Sequence, residues 1–198
     1  MDGMPKVSQQ YRDARRDQIL AAARRCFLRD GFHATSMHDL FAEAGLSSGA
    51  VYSYFASKDD MILAIAEENM RGVVETIRTV ATQRPDSSAG AAIAEALDML
   101  RAEDARNGIG KLALIVWAEA LRNPGLAARF ADMIMQIRAD LAEFVRDRQD
   151  AEELPGDAPA DALAAAFISI VPGYILQLAL LGPAGVDGIP GALRALWP

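Results

Sequence analysis

Two helix-start signals bracket a glycine turn between residues 36 and 60, and they fix what this stretch can become. Ser36-Met37-His38-Asp39 and Ser57-Lys58-Asp59-Asp60 each place a hydroxyl three residues before an acid, on either side of Gly45-Leu46-Ser47. Such a pair satisfies backbone N–H groups that a helix start leaves open. One continuous helix is therefore excluded. The spacing predicts a short helix through Leu40, Phe41, Ala42, Glu43 and Ala44, and a break at Gly45. A second short helix follows from Ser47 or Ser48 through Phe55, and a long helix runs from Ser57 to about Gln83. Leu40 and Ala44 must face inward, Gly45 must turn left-handed, and Leu46 must plug the turn. Val51 and Phe55, at i and i+4, anchor the second helix.

The remaining sequence is helical in its periodicity, with no sustained period-2 run. A first helix spans about Ser8 to Asp30, with Ile19, Leu20, Ala23, Cys26 and Phe27 on one face and Gly31 as its terminator. Beyond the loop Arg84–Ser88, helices are expected at about 89–105, 109–122, 125–149, 159–181 and 190–196. Asn107-Gly108, Asn123-Pro124-Gly125 and Leu154–Pro159 separate most of them. The fold class is all-α. A helix-turn-helix head over residues 1–57 precedes a larger helical body over 58–198.

Charge divides along the same line. The chain has 198 residues and a formal net charge of −7, which taken whole argues against a nucleic-acid partner. Residues 1–58, however, carry eight basic and six acidic side chains, so they sum to +2 and the rest to −9. A single cysteine excludes an internal disulfide, and with no apolar leader in the N-terminal stretch it fits a cytoplasmic protein. The stretch Ala162–Val186 is uncharged and long enough to span a bilayer. Its Pro172, Gly173, Gln177 and Pro183, and the acids Asp161 and Asp187 that bound it, favour a buried or subunit-interface helix over a membrane partner.

In the bracketed stretch, Ser47, Ser48, Gly49, Tyr52, Ser53 and Tyr54 are left at the turn or on the outer face of the second short helix. Small residues there let a helix approach a DNA groove, and hydroxyls and backbone N–H groups bind phosphate. Lys58 adds positive potential at the edge. The run from Arg16 to Ile65 resembles the TetR family of bacterial transcriptional regulators. The resemblance is carried by Ile19-Leu-Ala-Ala-Ala, Phe27, Asp30-Gly-Phe32, Ala34-Thr-Ser-Met37, Glu43-Ala-Gly-Leu46, Ser47-Ser-Gly-Ala-Val-Tyr-Ser-Tyr-Phe55 and Ser57-Lys-Asp-Asp-Met61. It implies a three-helix DNA-binding head, a ligand-binding helical body and a homodimer. It also implies that Thr35, Ser36, Tyr52 and Lys58 contact phosphates, and that His38, Ser48, Gly49 and Tyr54 lie near bases. One position departs from the family pattern: Phe41 stands where a small residue is usual. Its ring must rotate outward or widen the packing of the two helices.

In the body, Met99, Trp117, Met133, Ile137 and Phe167 suit an adaptable apolar pocket. Tyr174 and Gln177 follow Pro172, which removes a helical hydrogen bond and should kink its helix, and they are candidates to offer polar groups to a ligand. An acid such as Glu119 or Asp98 facing the pocket would admit a cation. The two long apolar helices near the C-terminus are expected to form a four-helix interface with a second copy. No catalytic, metal or cofactor site is expected: both histidines lie in the head, and adjacent acidic pairs diverge around a helix. The sequence reads as a ligand-responsive repressor that leaves its double-stranded operator when a small apolar or aromatic effector binds.

Overall fold

The computed structural model describes residues 9–83 and 88–197. It contains α1 (Gln9–Asp30), α2 (Met37–Ala44), α3 (Ser48–Tyr52), α4 (Lys58–Gln83), α5 (Ala89–Asn107), α6 (Ile109–Ala120), α7 (Pro124–Asp150), α8 (Ala160–Leu181) and α9 (Ile189–Leu196), with a 3₁₀ turn at Pro183–Gly185. No strand occurs among the described residues, so the fold is all-α as its periodicity predicts. The long helices fall within about two residues of their predicted ends, because their caps are local chemistry. Ser88 accepts from Ala91 N–H at the start of α5, and the Asn123 side chain accepts from Gly125 and Leu126 N–H at the start of α7.

The chain divides into two compact units, Met1–Ile65 and Ala66–Pro198. In the first, Ile19, Leu20, Cys26 and Phe27 of α1 are fully buried, as are Leu40, Val51, Met61, Ile62 and Ile65. The sequence boundary, drawn at the start of α4, falls before its first two turns, whose apolar residues belong to this unit. Ser36 caps α2 with a reciprocal box in which its Oγ accepts from Asp39 N–H and the Asp39 carboxylate accepts from Ser36 N–H. Gly45 ends α2 at φ 66°, and its N–H reaches the carbonyls of Ala42 and Phe41. Only glycine holds that conformation without strain.

α3 is shorter than predicted. It ends at Tyr52 rather than Phe55, where the N–H groups of both Tyr54 and Phe55 converge on the Val51 carbonyl. The Ser53 hydroxyl donates to Ala50 O at 2.7 Å, a local bond that competes with helix continuation.

The second unit packs α5 against α9 and α7 against α8, with α6 beside α7 and α8. Its core includes Ile93, Leu97, Leu100, Ile109, Leu141, Phe144, Val145, Phe167, Tyr174 and Leu178. α8 runs on through Pro172. By length and composition α8 could cross a membrane, yet Ala164, Phe167, Val171, Tyr174, Ile175 and Leu178 bury one face in this core. Leu176, Leu180 and Leu181 stay exposed on the rest of its surface.

Candidate nucleic-acid interface and apolar cleft

In the first unit the candidate DNA residues fall into an exposed group and a group that builds the turn. Ser47, Ser48 and Gly49 are exposed at the start of α3, with the Ser47 hydroxyl capping it by accepting from Ala50 N–H at 3.3 Å. Among the described residues, none beyond the adjoining helix backbone comes within 4 Å of where a Cβ on Gly49 would stand. His38 is exposed in the first turn of α2, and Tyr54 is half-buried beyond α3. Tyr52 is 51% exposed. Between α2 and α3, residues His38, Phe41, Ala42, Gly45, Leu46 and Ser48 line an open hollow of about 550 Å³. Phe41 resolves its crowding by turning outward: it is half-buried, lines the hollow and meets the Tyr52 ring edge-on, centroids 5.4 Å apart.

Thr35, Ser36 and Lys58 have structural work alongside any phosphate contact. The Thr35 side chain is buried, and its hydroxyl donates to Gly31 O at 2.7 Å. Ser36 is exposed, but its hydroxyl donates to Asp39 Oδ2 at 2.6 Å while capping α2. Lys58 Nζ donates to the carbonyls of Phe32 at 2.7 Å and Thr35 at 2.6 Å and lies 4.7 Å from the Phe32 ring centroid. An ammonium has three donors, so one remains to face outward.

Two of the α1 arginines, Arg25 and Arg29, are drawn to carboxylates of the same unit. Arg25 Nε meets Glu43 at 2.6 Å, Arg29 Nη1 meets its second oxygen at 3.1 Å, and Arg29 also pairs with Asp30 at 2.8 Å. Bonds from Arg25 and then Arg29 hold the Glu43 carboxyl below its usual range. The Ser36 hydroxyl, then its backbone N–H, does the same for Asp39. Burial raises the pKa of the Cys26 thiol on the inner face of α1.

In the second unit a cleft of about 350 Å³ opens between α4, α6, α7 and α8. Its walls are Met70, Trp117, Phe130, Met133, Ile134, Ile168, Ser169, Val171, Pro172 and Ile175. Trp117 and Met133 are among the expected ligand residues. Ile137 and Phe167 instead line a tight neighbouring void of about 20 Å³. Met99 packs over Gly72, its Cε 3.6 Å from where a Cβ would stand. Tyr174 and Gln177 are not in the cleft wall. Tyr174 is in the core with its hydroxyl buried, and Gln177 is exposed. Successive helix positions rotate by about 100°, so Tyr174 lies about 200° around α8 from Pro172. Ile168, Pro172 and Ile175, at i, i+4 and i+7, form the stripe that faces the cleft.

Among the described residues no charged side chain lines the cleft. Asp98 pairs with Arg101 and Arg194, and Glu119 is buried elsewhere. Among the described residues no group of three His, Cys, Asp or Glu side chains is arranged to hold a metal.

A glycine-turned helix pair with an exposed, small-residue second helix, joined in sequence to a helical body with an apolar cleft, defines a helix-turn-helix transcriptional regulator. Residues 19–65 match the model described as bacterial regulatory proteins of the tetR family, and residues 91–195 match the C-terminal domain of BetI-type transcriptional repressors. The chain is 30% identical over 177 residues to the HTH-type transcriptional repressor Rv1474c of Mycobacterium tuberculosis, covering 89% of this chain and 88% of that one. Salmonella enterica GusR superposes at a TM-score of 0.72, with 23% identity over 97% of this chain and 96% of that chain. FadR of Bacillus subtilis, solved with stearoyl-CoA, does so at 0.73, with 16% identity over 91% and 96% of the two chains. The chain belongs to the TetR family and is a DNA-binding transcriptional repressor of that family.

Proposed function

We propose that this repressor binds its operator as a homodimer and is released when a small apolar or aromatic effector enters the α4/α6/α7/α8 cleft. The observation that carries the reading is the cleft itself, about 350 Å³ and walled by Trp117, Phe130, two methionines and aliphatic side chains with no charged group. Such a site favours an uncharged apolar molecule, because an ion would lose its hydration without a partner. Met70 brings α4 into that wall, and the same helix begins at Lys58, which holds the Phe32 and Thr35 carbonyls. An effector that favours one position of α4 shifts the head between a DNA-competent and an incompetent state. Its leverage equals its difference in affinity for the two.

The dimer would form through the exposed apolar strips of α7 and α8, with Met135, Leu176, Leu180 and Leu181 at its centre, setting two α3 helices one DNA turn apart. Ser47, Ser48, Gly49, Tyr52, Tyr54 and His38 would face the duplex, while Thr35, Ser36 and Lys58 hold the turn that presents them. The protein would act in the cytoplasm as a binding protein, without catalysis. The test is a mobility shift on the tightest duplex recovered from a randomised pool. The Tyr52→Ala/Lys58→Ala double variant loses specific binding by tenfold or more; specific binding that survives it removes the interface assignment.

A further inference from the structure

One backbone group in the wall of the apolar cleft lacks its helical donor. Pro172 lies inside α8 and has no N–H, so the carbonyl of Ile168, four residues earlier, has no i+4 donor. A helix carbonyl points along the axis toward residue i+4. Here both ends of that vector, Ile168 and Pro172, line the cleft. Among the described residues Ser169 is the only oxygen-bearing side chain in the wall, and its hydroxyl donates to Ala165 O at 2.7 Å.

We propose that the Ile168 carbonyl is the hydrogen-bond acceptor of the effector site, and that the cleft takes a neutral aromatic or alicyclic molecule bearing one O–H or N–H donor. The inference rests on reading the cleft as the effector site. Ile168 is half-buried and Pro172 exposed, so a carbonyl deprived of its helical donor is left to solvent in the open cleft, and a ligand donor that displaces that solvent restores the missing bond. The same carbonyl repels an anion, and nothing charged in the wall would compensate one. A purely apolar ligand fills the volume but offers the acceptor no donor. A site with one fixed acceptor therefore discriminates by the presence of the donor more than by small differences in bulk.

Equilibrium dialysis of the full chain with 2-naphthol and with 2-methoxynaphthalene tests this, since the two differ in the donor. Wild type is expected to bind 2-naphthol roughly fivefold more tightly, the worth of one neutral hydrogen bond. Pro172→Ala returns an N–H to the Ile168 carbonyl, and should bring the ratio below about twofold while keeping 2-methoxynaphthalene. Ser169→Ala should keep the preference. Equal binding of the two compounds by wild type, or a preference that persists in Pro172→Ala, overturns the carbonyl assignment, as does a preference lost in Ser169→Ala. Failure of wild type to bind either compound overturns the cleft reading itself. If Pro172→Ala binds neither, carbonyl-¹³C isoleucine labelling of wild type decides. An infrared downshift of one band on adding 2-naphthol, absent in Ile168→Val, supports the proposal, and no shift overturns it.

Discussion

The ammonium of Lys58, the first residue of α4, donates at 2.6 Å to the carbonyl of Thr35, the residue just before the α2 cap. With its second bond to Phe32 O, Lys58 ties the start of α4 to the turn after α1. Charged hydrogen bonds of this kind contribute about 1.5–3 kcal/mol each. Lys58→Met is therefore expected to lower the stability of the DNA-free protein by at least about 1.5 kcal/mol, read from its denaturant midpoint. An unchanged midpoint would leave Lys58 with a phosphate role alone.

Phe41 supports Tyr52 through an edge-on ring contact. Such contacts are worth about 0.5–1.5 kcal/mol, and Tyr52 is otherwise half exposed. Phe41→Ala should fold normally and weaken operator binding about two- to tenfold through loss of that support. In Tyr52→Ala the same Phe41 change should add almost nothing, a non-additivity that a double-mutant cycle measures.

The acid limb of stability should bear the mark of the α2 cap. Asp39 is held below the ordinary aspartate value by Ser36, and Glu43 below the glutamate value by Arg25 and Arg29. A carboxyl depressed in the fold stabilises fully above its unfolded pKa, about 3.9 for Asp and 4.3 for Glu. That stabilisation is lost as pH falls through the lower folded value. Helical signal from the head should thus fade as pH drops below about 4. Asp39→Asn should be less stable at neutral pH and show a flatter acid limb in circular dichroism; an unaltered limb would dissociate the cap from acid stability.

Tyr174 has a buried hydroxyl with no hydrogen-bond partner among the described residues, and burial raises its pKa. Tyr174→Phe removes an unsatisfied polar atom and keeps the ring. It should be neutral or stabilising by about 1 kcal/mol, with ligand affinity in the cleft unchanged. A large loss of ligand binding would put the hydroxyl in the effector site after all.

Leu176 and Leu180 stand exposed on one side of α8, at 44% and 70%. Leu176→Glu with Leu180→Glu should shift the protein to monomer in sedimentation and cut operator affinity more than tenfold, since the two half-sites are then bound independently. A dimer that survives both charges must use another surface.

The head was legible because its signals are local. Ser36, Asp39, Gly45 and Ser47 act on backbone groups within four residues of themselves, and each does so where the spacing predicts. The cleft was only partly legible, since its walls depend on how four helices pack. Trp117 and Met133 emerged from composition, but nothing in the sequence singles out Ile168 and Ile175 among the aliphatic residues of α8. Tyr174 and Gln177 were expected from nearness to Pro172, and helical rotation carries both away from the cleft-facing stripe. Phe41 left two outcomes open in sequence, and the room beside Tyr52 chose between them.

The pairing of Arg25 and Arg29 with Glu43 and Asp30 has a kinetic meaning. Non-specific residence on a duplex grows with the number of phosphates neutralised, and these guanidiniums already face carboxylates of their own unit. A head with these two guanidiniums already paired should leave a non-matching duplex sooner than one in which they are free. On the proposed interface, its search of a chromosome would consist of many short visits, with long dwell times left to duplexes that match the α3 surface.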